Sequence, residues 1–210
     1  MTTTLYDLIL RGGWAMWPLG AVCLFTLFLI FQASFMTRRT RFCLAPKYLM
    51  TCRQYSNCDE AFLASLTSSA SGRMLAAAWE RRRQGRISTE ERIAELADNE
   101  ESQVGAWIQY LNVCANIAPM IGLLGTVSGM IGAFKTLSTS GMGKPELLAG
   151  DIGEALITTA AGLVIAIPAM VAFYFLRNRL AAGVRQAIQE SLRVLDNWES
   201  EGFYGNSSNH

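Results

Sequence analysis

The sequence predicts an all-α polytopic membrane protein with three transmembrane helices, two of them extended into the cytoplasm as a helical bundle. Two observations predict it. The apolar residues gather in three uncharged runs, 23 residues at Trp14–Met36, 33 at Ser102–Phe134 and 22 at Ala155–Leu176. A helix crosses the hydrocarbon core in roughly 20 residues, so each run is long enough to span. The charges then sort by side. Eleven Lys and Arg lie between the first two runs and four after the third, against Arg11 before the first and Lys135 and Lys144 between the second and third. Basic residues stay cytoplasmic, so the N-terminus faces the periplasm, the long loop the cytoplasm, the short loop the periplasm and the C-terminus the cytoplasm.

The elements follow in order. Residues 1–13 form an outer segment, with an interfacial helix around Tyr6–Leu10. Span one, 14–36, carries Trp14 and Trp17 as an aromatic belt, and Pro18 falls in its tolerant first turn. Its apolar run exceeds the 7–15 residues of a cleaved leader, and no small-residue cleavage site precedes Arg38, Arg39 and Arg41, so it reads as a retained anchor. The cytoplasmic loop, 37–110, reads as helical, with Asp59 as a cap, Gly72 as a weak point and Gly85 as a C-cap. Ser88 and Glu91 have capping-box spacing. A helix from about Thr89 through Phe134 would be roughly 70 Å long and contains span two, 111–134. After a short loop, 135–151, comes span three, 152–176. Beyond it Leu180, Val184, Ile188, Leu192 and Leu195 keep an apolar helical stripe within 177–210. The tail Gly205–His210 reads as disordered.

Small residues mark the packing faces. Gly122, Gly125, Gly129 and Gly132 share one side of span two, and Ala155, Thr159, Gly162, Ala166 and Ala169 recur along span three. Such stripes let backbones approach closely in lipid. Pro119 and Pro168 are positions for kinks, and Asn112, Asn116, Thr126 and Ser128 supply polar groups for interhelical hydrogen bonds. Three spans with interior-type polar residues predict a homo-oligomer. Of the cysteines, Cys23 and Cys114 fall in spans, and Cys43, Cys52 and Cys58 in the reducing cytoplasm, so no disulfide is expected. Cys52 and Cys58 lack paired zinc-ligand spacing, the one histidine is His210, and no metal site is expected.

Glu154 is the informative residue. It stands among apolar neighbours in LLAGDIGEALITTAAG, where a charged carboxylate costs about 2.5–3.5 kcal/mol on insertion scales. Desolvation makes such a group a proton carrier near neutral pH. Asp151 and Thr158 lie three and four residues away on roughly the same face, while Thr159 is turned by about 140°. The residues alone leave two readings open: a buried functional carboxylate, or an interfacial charge favoured by the start of its helix.

The stretch Asn116–Gly132, NIAPMIGLLGTVSGMIG, resembles the NxAPxxGLxGTVxGM segment of ExbB and TolQ proteins. Gly153–Ala169 resembles their GIxEALxxTAxGLxxAIPA segment, in the same order on consecutive spans. About 60 residues match closely, and the topology of the whole chain agrees. The resemblance to the MotA/TolQ/ExbB proton channel family, ExbB/TolQ-like branch, implies that Glu154, Thr126 and Thr159 face a central pore. It implies five copies around a pair of single-span ExbD/TolR-like helices, each with a membrane aspartate. Translocated H+ would drive the partner, with a TonB/TolA-like transducer beyond it and no cofactor. The sequence departs from some relatives in Asp151 and Gly153 before the Glu, in a short cytoplasmic loop, and in an uncharged inner end of span one.

The function expected is therefore a proton-conducting subunit of an inner-membrane motor for biopolymer transport, and not an enzyme. No nucleophile, metal cluster or phosphate loop stands out, and Gly122–Gly132 is span packing. Lipid contact explains the basic stretch Arg81–Arg86 more economically than nucleic acid does. The alternatives are a non-conducting membrane scaffold with Glu154 as a capping charge, and a flagellar-type stator subunit, against which three spans rather than four argue.

Overall fold

The second and third uncharged runs each lie inside one helix, and the first lacks only its two leading residues. The computed structural model describes residues 13–37, 42, 69–81, 84–140 and 145–200, with the backbone alone at 139, 140 and 145–148. Helix α1 is Met16–Met36, α2 Ala70–Arg81, α3 Arg86–Ser140 and α4 Pro145–Ser200. The segment Tyr6–Leu10, the Asp59 cap, Cys43, Cys52, Cys58 and the tail Gly205–His210 lie outside the described residues. Among the described residues, three helices, α1, α3 and α4, are long and apolar enough to cross a membrane.

Local chemistry sets the helix ends. Gly13 has φ +61°, a left-handed conformation suited to glycine, and its carbonyl accepts from Met16 N at 3.2 Å as α1 begins. Ser69 caps α2: its Oγ accepts from Gly72 N at 3.2 Å, and its carbonyl accepts from Arg73 N at 3.0 Å. Gly85, with φ +95°, opens α3, its carbonyl accepting from Thr89 N at 3.3 Å; its expected role as a C-cap to Glu80–Arg83 lies outside the described residues, which omit 82 and 83. The expected Ser88 capping box is corrected accordingly. Helix α3 is already under way at Arg86, Ser88 Oγ donates to the Gln84 side chain, and Thr89 Oγ1 donates to the Gly85 carbonyl at 2.9 Å.

Both long helices outrun the apolar stretches. Helix α3 continues past Phe134 to Ser140, and α4 starts at Pro145, leaving only 141–144 between them. Lys135–Ser140 contains no helix breaker, and proline suits a first helical position because its missing N–H would be unsatisfied there anyway. Pro119 and Pro168 both lie inside continuous helices.

The chain forms two compact units. The first comprises residues 1–31 and 108–174, the second 32–107 and 175–210. In the first, small residues make much of the helix contact, Ala115, Ala118, Ala155, Ala166 and Ala169, with Leu19 of α1 packed on Ala118 and Ala166 and with Leu29, Ile108 and Leu111 also buried. Many of its large apolar side chains nonetheless point outward, Trp17 at 85% exposure, Leu24 at 72% and Val164 at 70%. A soluble surface does not carry so continuous an apolar coat, whereas in lipid, where burial gives little drive, close packing of small residues holds helices together. This is a membrane protein.

The second unit is packed the ordinary way. Its α2, α3 and α4 residues bury Met74, Leu75, Ile93, Val104, Leu180, Val184, Leu195 and Trp198, each large side chain contributing roughly 1.5–3 kcal/mol. Trp198 meets Trp79 edge to face, with ring centroids 5.4 Å apart. The buried α4 face runs Leu180, Val184, Ala187, Ser191, Leu195 and Trp198, so Ile188 and Leu192 of the expected stripe are only half-buried. Ser191 is admitted because its hydroxyl donates to the Ala187 carbonyl at 2.9 Å.

Candidate functional site

The first unit brings the third spanning helix hard against the second. A Cβ built on Gly162 would stand 2.7 Å from the Ala118 carbonyl oxygen, and one on Gly122 3.0 Å from that of Thr158. At Gly125 it would meet Thr158 Oγ1 at 2.5 Å, and at Gly129 the Ala155 Cβ at 2.7 Å. These four glycines stand where α3 and α4 touch. A Cβ at Gly132 would meet nothing within 4 Å, and this residue faces a cavity instead.

The cavity, about 150 Å³, is lined by Trp14 and Ala15 beside the start of α1, by Gly125, Ser128, Gly129 and Gly132 of α3, and by Asp151, Glu154 and Thr158 of α4. It has room for several waters and offers them a hydroxyl-and-carboxylate lining. Glu154 is half-buried there, nine residues past Pro145. Helix-end effects fade within the first turn, so Glu154 is not a helix-capping charge. Its carboxylate lies against Gly13, where a Cβ would stand 2.9 Å from Glu154 Cδ. Thr158 is buried and donates to the Ala155 carbonyl at 2.7 Å. Asp151 accepts from Thr136 Oγ1 at 3.2 Å. The Trp14 indole Nε1 donates to Ser128 Oγ at 3.0 Å, tying the approach to α1 onto α3.

Thr126 and Thr159 form a second group, away from the cavity lining. Their hydroxyls are 2.9 Å apart, Thr159 Oγ1 donates to the Gly122 carbonyl at 3.0 Å, and Thr126 Oγ1 reaches that of Leu123 at 2.8 Å. Two hydroxyl protons thus share several acceptors, and rotation of either hydroxyl changes which bond is made. The structure therefore divides the five residues singled out above: Glu154, Asp151 and Thr158 meet at the cavity, and Thr126 meets Thr159. Consecutive threonines 158 and 159 point to the two groups. Among the described residues no three His, Cys, Asp or Glu side chains come together to hold a metal ion.

Reasoning from the sequence gave no role at the site to Trp14, Ala15 and Ser128, which line the cavity, or to Gly13, which lies against Glu154. Trp14 reads as a belt residue and Ser128 as helix glue. The one available signal was the position of Ser128 inside GTVSGM.

Comparison with known proteins follows the same segment. The model of the MotA/TolQ/ExbB proton channel family matches residues 62–189, well over half of the chain and including the cavity residues of α3 and α4. The biopolymer transport protein ExbB of Xanthomonas campestris is 39% identical over 83 residues, 40% of this chain and 33% of the relative. ExbB of Neisseria gonorrhoeae is 52% identical over 61 residues, 29% of this chain and 28% of the relative. The Tol-Pal system protein TolQ of Haemophilus influenzae is 39% identical over 89 residues, 42% of this chain and 37% of the relative. The chain thus spans about a third of the length of the curated relatives it matches. With the family model covering α3 and most of α4, and relatives from both ExbB and TolQ, the chain belongs to the MotA/TolQ/ExbB proton channel family, on its ExbB/TolQ-like branch.

Proposed function

We propose that this chain is the proton-conducting, non-enzymatic subunit of an inner-membrane motor that converts proton motive force into mechanical work for biopolymer transport. In this reading five copies surround two single-span ExbD/TolR-like helices bearing membrane aspartates, and a TonB/TolA-like transducer receives the work. The N-terminus is periplasmic and the C-terminus cytoplasmic. The observation that carries the reading is Glu154, a carboxylate well inside a spanning helix at a cavity with room for water.

A proton entering from the outer side passes Asp151 and binds a Glu154 carboxylate oxygen, or exchanges with the partner aspartate. It leaves by way of water held at Thr126 and Thr159. The threonines pass hydrogen bonds and hold no net charge. One charge crossing 100 mV releases about 2.3 kcal/mol, so several protons per cycle suffice for movement. The polar face of α3 supports assembly around a wet centre. Asn112, Asn116 and Thr126 fall within an arc of about 80°, and Asn116 is exposed, donating to the Asn112 carbonyl at 2.7 Å. An exposed Asn at membrane depth is satisfied best by water or a neighbouring helix.

Glu154→Gln tests the reading in cells. The complex, extracted gently and weighed intact, should keep the mass of five copies with its single-span partner, while the energised process stops. A process that runs unchanged on Glu154→Gln contradicts it. A homo-oligomer with no companion would favour the scaffold.

A further inference from the structure

Resting on Glu154 as the proton-carrying group, we propose that Gly13 is its positioning residue: the missing side chain at Gly13 is the seat of the carboxylate, and the Trp14–Ser128 bond holds that seat over the cavity. Two independent properties of residue 13 argue for this. Its φ of +61° is one that L side chains rarely adopt, so glycine is favoured by backbone shape alone. Its Cα also faces the carboxyl end of Glu154, where a Cβ would collide with Oε1 and stand 2.9 Å from Cδ and 3.6 Å from Cγ. The end of the Glu154 side chain, from Cγ to Oε1, occupies the space a side chain at residue 13 would take.

The seat is fixed to the rest of the unit at two points. The Trp14 indole donates to Ser128 Oγ at 3.0 Å, and a Cβ on Gly125 would lie 3.1 Å from the Ala15 Cβ. Ser128 and Gly125 are one turn apart on α3, so the residues leading into α1 are pinned to the same helix face that lines the cavity. Loosening the seat therefore moves the carboxylate and opens the cavity together.

The test uses the intact complex in native membrane vesicles and reads two quantities: proton flux, and the rate at which a carbodiimide modifies Glu154 at one fixed pH. Gly13→Ala should lower flux about tenfold. Gly13→Asn should do the same, because asparagine tolerates the left-handed backbone but still carries a Cβ. Glu154→Asp, one methylene shorter, should restore part of the flux in the Gly13→Ala background while lowering it in the wild type, which a purely structural role for Gly13 would not produce. Trp14→Phe and Ser128→Ala should each raise the modification rate about three- to tenfold, and the double variant no further than the larger single. Wild-type flux and modification rate in Gly13→Ala would overturn the proposal, as would equal loss from Glu154→Asp in both backgrounds. If Gly13→Ala does not assemble, an unchanged modification rate in Trp14→Phe and Ser128→Ala overturns it. Glu154→Gln separates the two levels. Full flux in that variant sinks the proton-carrier reading itself, whereas lost flux there with unaffected Gly13 variants sinks only the positioning role.

Discussion

Single residues in the first unit are constrained by contact distance more than by hydrophobicity. Gly162 meets backbone on the facing helix, with the Ala118 carbonyl oxygen 2.7 Å from its would-be Cβ, whereas Gly20 of α1 has nothing within 4 Å. Gly162→Ala should therefore cost about 1–3 kcal/mol as overpacking. Gly20→Ala should be neutral or stabilising by up to about 1 kcal/mol, since alanine is the better helix former. Thermal unfolding in a mild detergent distinguishes them, and equal shifts would contradict the packing described. The Thr126–Thr159 pair makes a second prediction at this scale. Thr→Val preserves shape and removes the hydroxyl. If the pair acts as one unit, Thr126→Val and Thr159→Val should each slow proton flux about tenfold and the double variant should be no slower than the worse single. A double variant slower by the product of the two would mean independent roles. Glu154 was legible because a charge in an apolar run announces itself energetically. Gly13 was not, because its significance lies in a carboxylate on another helix that no local pattern brings to it.

Elements were easier to read where a single physical rule governs them. Uncharged length located the three spanning helices, since hydrocarbon admits no charge without cost. Helix starts were harder. Ser88 and Glu91 satisfy a capping rule, yet Gly85 at φ +95° had already turned the chain into α3. The stripe on α4 was placed with the right period but the wrong centre. Buried Ala187 and Ser191 look unremarkable as letters, whereas Ile188 and Leu192 look like core. The ionic contacts of the second unit were not anticipated at all. Arg86 bonds Glu90 and Asp196, both at 2.7 Å, and also pairs with Glu199. Its hydrogen bond to Glu90, ahead of the opposing effect of burial, raises the guanidinium above its ordinary value. A raised value means the stabilisation is full below the unfolded value and is lost only in strong alkali, so Arg86 stays charged across the working range. The group is largely exposed, so Arg86→Gln should cost about 1 kcal/mol or less. The difference from wild type should shrink between 0.05 and about 1 M salt as screening sets in. A loss that ignores salt would mean that Arg86 acts by packing.

At the scale of the whole molecule, the two units differ in what they turn outward. The first exposes many large apolar side chains, such as Trp17, Leu24 and Val164, over close contacts between small residues; the second exposes few and closes on Leu, Val and Trp. That contrast was already present in the sequence as a change in stripe composition along the two long helices, and it is what makes the membrane assignment physical. The surface left over carries polar groups. Asn116 of α3 is exposed, with Asn112 and Thr126 half-buried on the same face, and in the proposed assembly that face meets water or a neighbouring helix. The central claim is that protons cross through Glu154. The most direct measurement is proton entry into sealed vesicles containing the intact complex, followed with a pH-sensitive dye under an imposed potential, for wild type and Glu154→Gln prepared at equal amount and equal native mass. Potential-driven acidification in the wild type, reduced at least a hundredfold in Glu154→Gln, is the result predicted. Equal rates in the two would contradict it and return Glu154 to a structural role.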